Sequence, residues 1–155
     1  MTAKWHLSYA RGYTELGLLT EAAAELELVS EAARQTTEFL DVQALLFQGQ
    51  GKWSGLQEVA GELCRRHPEN PAWWIMCAYG ARRAASLNEA EAILLDAHRH
   101  HPEDATILFN LGCYACQRGD LALARTRVEK AIGIDPRFRE AAASDPDLSA
   151  LRGTI

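Results

Sequence analysis

The chain has 155 residues, 48% of them hydrophobic and 24% charged, a balance close to that of an average soluble domain and far from disordered chains. Sixteen Lys and Arg against 21 Asp and Glu leave a net charge of −5, which argues against a nucleic-acid or anionic-membrane partner, because phosphate contacts need a surplus of cations. No apolar run approaches the roughly 18 residues of a spanning helix. The opening Met1-Thr2-Ala3-Lys4-Trp5-His6 lacks a signal peptide's apolar stretch, so a cytoplasmic protein with reduced cysteines is expected.

Pro68, Pro102 and Pro136 stand 34 residues apart, closing Arg65-Arg66-His67-Pro68, His100-His101-Pro102 and Ile134-Asp135-Pro136. At that period the chain divides without insertion into repeats 3–36, 37–70, 71–104 and 105–138, each predicting a helix, a turn and a second helix. In the first repeat Thr2 is the candidate N-cap, Ala10 the small contact residue, Gly17 the turn and Ala22 the small residue of the second helix. Arg34 stands where the later repeats carry proline. The second repeat repeats the scheme with Thr36, Ala44, Gly51 and the bulkier Leu56. The third has Asn70 ahead of Pro71, then Ala78, Ala85, a capping box at Ser86-Leu87-Asn88-Glu89, and Ala90. The fourth has Asp104, Gly112, Gly119-Asp120 and Ala124. Trp5, Phe39, Trp73 and Ile107 share position 3, one large residue per repeat, as packing between repeats requires. Beyond them, residues 139–155 break the period at Pro146. Leu148 and Leu151 supply one apolar side there, for a segment that caps the array or lies in its groove.

These columns resemble the tetratricopeptide repeat (TPR) family, most clearly in Leu108 through Leu111-Gly112-Cys113-Tyr114 to Ala124, Ala131 and Pro136, and in Trp74 through Ala78, Ala90, Ala97 and Pro102. The resemblance implies an all-α fold, a right-handed superhelical solenoid of antiparallel helix pairs in a single domain. It also implies a concave groove lined by positions 2, 5, 6, 9, 12 and 13 of each first helix. On this chain the groove candidates are Leu7 and Arg11 from repeat 1, and Asp41, Val42 and Leu45 from repeat 2. Repeat 3 adds Ile75, Met76, Tyr79, Arg82 and Arg83, and repeat 4 adds Phe109, Asn110, Cys113 and Gln117. Such a lining is mainly apolar, suits an amphipathic segment, and has Arg82 and Arg83 to hold a carboxylate at one edge. Some members hold a C-terminal carboxylate through a Lys/Asn/Arg clamp. The matching positions here are Leu7, Arg11, Val42, Ala72 and Met76, so that clamp is not expected.

Other candidates point to structure rather than chemistry. Cys113 and Cys116 share a helix face but sit mid-helix, away from the N-terminal dipole that activates a redox CxxC pair, and zinc would need two further ligands. His67, His98, His100 and His101 fall in or just after a helix's last turn, where basic groups complement the macrodipole. Only repeat 4 is net basic, through residues such as Arg125, Arg127 and Lys130 on its second helix, which reads as a solvated face. No phosphate loop, metalloprotease motif or nucleophile elbow occurs, so no catalytic residue, metal or cofactor is expected. The expected function is a non-catalytic protein-interaction module for an apolar or amphipathic peptide or helix. Alternatives are a small chaperone for a secreted or membrane-inserting client and a self-associating structural unit.

Overall fold

The structure is a computed structural model describing residues 2–152. Among the described residues it is helical throughout, without a strand. The four first helices are α1 (Ala3–Glu15), α3 (Thr37–Gln50), α5 (Pro71–Ala84) and α7 (Ala105–Gln117). They alternate with second helices α2 (Leu19–Glu27), α4 (Trp53–Arg66), α6 (Leu87–His100) and α8 (Leu121–Ile134). A short helix α9 (Phe138–Ser144) and a 3-10 turn (Pro146–Leu151) follow. The 34-residue period therefore maps onto helix pairs, and no helix among the described residues is long and apolar enough to cross a membrane.

Local chemistry sets the helix ends. The Thr36 hydroxyl accepts from the Phe39 amide at 3.2 Å, the Asn70 side chain from Ala72 at 3.0 Å, and the Asp104 carboxylate from Ile107 at 2.9 Å. Each satisfies an amide that the first turn leaves without a partner. Thr2 differs: its backbone is extended like a cap, but its hydroxyl makes no capping bond. Gly17, Gly51 and Gly119 end their first helices at φ of 77°, 69° and 83°, the left-handed conformation that needs glycine. Ala85, in the same column, instead turns at φ −123° and ψ −85°.

Repeat 1 departs from the others at its second helix, which has nine residues where α4 has fourteen. Arg34 explains the stop. Its guanidinium donates to the carbonyls of Val29 at 3.1 Å and Glu27 at 3.0 Å, satisfying acceptors at the end of α2. The chain then makes a separate 3-10 turn over Glu31–Gln35 before α3 begins.

The chain divides into two compact units, Met1–Ser86 and Leu87–Ile155, with the boundary inside the third repeat. In the first, α1 packs on α2 and α3, α3 on α4, and α4 on α5. Its core joins Ala10, Ala22, Leu26, Val29, Phe39, Leu40, Val42, Leu46 and Leu63. His6, a buried polar residue, is matched to Glu25 of α2 at 2.8 Å. In the second unit α6 packs on α7 and α7 on α8, while α9 and the closing turn fold back against both α7 and α8. Leu94, Ile107, Leu111, Val128, Leu148 and Leu151 are fully enclosed there. The small column is used as expected: Ala10, Ala44 and Ala78 are buried, and a methyl added at Gly112 would meet Val128 Cγ2 at 2.6 Å.

Candidate functional site

The groove positions of the first unit form a cleft between α1 and α3. It has a volume of about 480 Å³ and is lined by Ala3, Lys4, Leu7, Ser8, Arg11, Ala33, Thr36, Glu38, Asp41 and Val42. Seven of these ten occupy the groove positions of repeats 1 and 2. Arg11 donates to the Asp41 carboxylate at 2.6 Å, an ion pair that ties α1 to α3 across the cleft. Leu7 is half-buried and Val42 buried, so the apolar surface lies at the floor. Lys4, Ser8 and Glu38 are exposed around it. Two cationic and two anionic side chains line the space, so its electrostatics favour neither sign. Ala3, Ala33 and Thr36 complete the walls and were not among the sequence candidates. The unusual Arg34 was the signal for the last two, because it ends α2 early and sits in the 3-10 turn that holds Ala33 and leads into Thr36.

Repeat 3 supplies a different arrangement. Leu45 of α3, together with Ile75 and Met76 of α5, is half-buried, while Tyr79 remains 38% exposed. Tyr79 meets the Trp53 ring edge-on at 5.6 Å between centroids. The Arg83 guanidinium lies 3.4 Å from the Tyr79 ring centre and 5.2 Å from that of Trp53, and it also donates to the Tyr79 carbonyl at 3.1 Å. Arg83 is thus held in a cation–π stack, and Arg82 beside it is half-buried. Trp53 is one wall of this stack.

In the second unit the expected open groove is closed. Phe109 and Cys113 are buried, at 5% and 3% exposure, which corrects their placement on an open surface. The Phe109 ring packs on Phe138 of α9 at 4.9 Å, and Gln117 donates to the Asp147 carbonyl at 3.2 Å. Asn110 is half-buried, and Cys116 is buried with Cys113. The closing segment thus packs on α7 and α8 and lies over groove positions of α7. Cys113, Asp145 and Asp147 bring one ligand atom each to within 4.8 Å of one another. Asp145 is already engaged as the N-cap of the closing turn, accepting from the Asp147 amide at 2.9 Å.

Cys64 and Cys77 also lie in the core, with the Cys77 thiol against the Gln57 carbonyl at 3.5 Å. Burial, and secondarily the neighbouring Cys77, push the Cys64 thiol up to about 12, so it is a poor nucleophile near neutral pH. Trp5, assigned from sequence to packing between repeats, is instead 56% exposed and tilted against Tyr9.

The sequence matches no protein-family model and no curated protein. Solved structures do match the backbone. TTC0263, a thermophilic TPR protein of Thermus thermophilus, superposes with a TM-score of 0.68 at 20% identity, over 92% of this chain and 80% of that one. The chain has the tetratricopeptide repeat fold. The MamA RS-1 ArsTM double mutant gives a TM-score of 0.70 at 11% identity, over 92% of this chain and 78% of its own. MamA MSR-1 C2 gives 0.65 at 16% identity, over 96% and 91%. Within that fold Ala10, Ala44, Ala78 and Gly112 are all buried.

Proposed function

We propose that this TPR protein is a non-catalytic interaction module that holds an amphipathic peptide or helix of a partner protein in the cleft between α1 and α3. The cleft itself carries the reading: a 480 Å³ space on the groove positions, apolar at Leu7 and Val42, with Lys4, Arg11, Glu38 and Asp41 around it. An apolar anchor from the ligand would displace water from the floor, and charges of either sign on the flanks would find a counterpart. The net charge of −5 favours protein over nucleic acid or an anionic membrane as the partner.

The centre of binding sits on repeats 1 and 2 in this reading. Phe109 and Cys113 are withdrawn from it by the closing segment, and Tyr79 is engaged with Trp53 and Arg83. The test is a photo-crosslinking residue placed at Ser8 in the native host, against the same residue at the exposed Ala122 of α8. Crosslinks from Ser8 to one amphipathic segment of one protein, lost when Leu7→Glu is added, are the expected result. Equal labelling from both positions, or labelling indifferent to Leu7→Glu, would overturn the proposal.

A further inference from the structure

One face of α1 is bare where the same face of every later first helix is covered. In α3, positions 3, 7, 10 and 14 of the repeat are Phe39, Gln43, Leu46 and Gln50, and they meet Ala23, Leu26 and Glu27 across a small cleft. In α5, position 3 is Trp73 against His67, position 7 is Cys77 against Gln57, and position 10 is Gly80 against the α4 backbone. At the end of α7, Arg118 at position 14 reaches Glu91 of α6 at 2.5 Å. The preceding second helix supplies the cover each time. The corresponding residues of α1 are Trp5, Tyr9, Gly12 and Leu16, spaced four, three and four apart along one helix face. Trp5 is 56% exposed, Tyr9 45% and Leu16 75%, and a methyl at Gly12 would meet nothing within 4 Å.

Gly12 and Gly80 share position 10, and that equivalence says what the bare face accepts. A methyl at Gly80 would come within 3.0 Å of the Trp53 carbonyl and the Gln57 amide, so glycine there lets a helix backbone approach closely. Gly12 offers the same notch with no helix in it.

We propose that a second copy of this chain covers the face, in an antiparallel pair of α1 helices about a twofold axis. The stripe is self-complementary in that arrangement. With the axis between Tyr9 and Gly12, each Tyr9 ring enters the notch of the partner copy's Gly12, and each Trp5 lies against the partner copy's Leu16. Charge agrees with the register. Lys4 and Glu15 are both exposed and lie on the same flank of the stripe near opposite ends of α1, so an antiparallel pair sets each beside the opposite charge. A parallel twofold pair would carry this flank of the two copies to opposite sides of the interface, where neither charge meets its counterpart.

Sedimentation equilibrium of the full chain, from micromolar to near-millimolar concentration, tests this. The wild type should pass from 17.1 kDa to twice that mass. Gly12→Leu and Tyr9→Ala should each weaken the dimer by about tenfold or more. Neither residue lines the cleft between α1 and α3, so these variants leave the proposed ligand site alone, and circular dichroism checks that helicity is kept. Lys4→Glu and Glu15→Lys should each weaken association, and the two together should restore it. A single 17.1 kDa species at the highest concentration overturns the proposal and leaves the face to a helix of another protein. So does a dimer indifferent to Gly12→Leu and Tyr9→Ala, and failure of the charge swap to rescue overturns the antiparallel register.

Discussion

Phe109 of α7 and Phe138 of α9 stack with ring centroids 4.9 Å apart, and this contact converts a groove position into core. Leu148 and Leu151 complete the cover and are fully enclosed. Leu148→Ala should therefore cost about 2–5 kcal/mol, like other large-to-small changes in a closed core. Urea unfolding is the measurement. A variant with the wild-type midpoint would mean that the closing segment only rests on α7 without stabilising it.

Two glycines in one column should respond to alanine with opposite signs. At Gly12 of the unpaired chain, in dilute solution, the added methyl enters open space in mid-helix, and the change should stabilise by about 0.5–1 kcal/mol through helix propensity. At Gly80 it meets α4 backbone atoms at 3.0 Å, which cannot move aside cheaply, and should destabilise by about 1–3 kcal/mol. Melting temperatures of the two variants decide it. Equal shifts would contradict the close approach of α4 to α5.

Cys64 should resist alkylation in the folded protein. Its thiol is raised to about 12 by burial, whereas an unfolded cysteine titrates near 8.5, so reagent at pH 8 should label it only on unfolding. The sign for stability follows. Between those two values the unfolded chain has lost the proton and the folded one keeps it, so this group's contribution is full below about pH 8.5 and declines as pH rises toward about 12. Rapid labelling of native Cys64 at pH 8 would show that its surroundings are open.

Arg11 and Asp41 bridge α1 and α3 at 2.6 Å, but both side chains keep partial access to water. Asp41→Ala should thus change stability by no more than about 1 kcal/mol. Its larger effect should be on ligand binding, since the freed guanidinium would turn the cleft net positive. Calorimetric unfolding beside a binding titration with the crosslinked partner separates the two effects, and a loss of several degrees in Tm with unaltered binding would contradict the assignment.

The 34-residue period, the small column at Ala10, Ala44, Ala78 and Gly112, and the caps at Thr36, Asn70 and Asp104 were legible in the sequence because each is a local or nearest-neighbour requirement. A glycine at φ 69°, or an Asp carboxylate three residues from the amide it caps, depends on the backbone around it and little else. The departure at Arg34 was visible as a residue, but its work, capping α2 early and so placing Ala33 beside the cleft, needed the folded chain. Which groove positions stay open was decided only by tertiary structure. Leu7 and Phe109 hold the same position in their repeats, yet Leu7 lines a cleft and Phe109 lies beneath Phe138. Likewise Trp5 and Ile107 share a column, but one is 56% exposed and the other fully buried. A repeat pattern assigns each residue a direction, and whether anything occupies that direction depends on tertiary neighbours that the period does not encode.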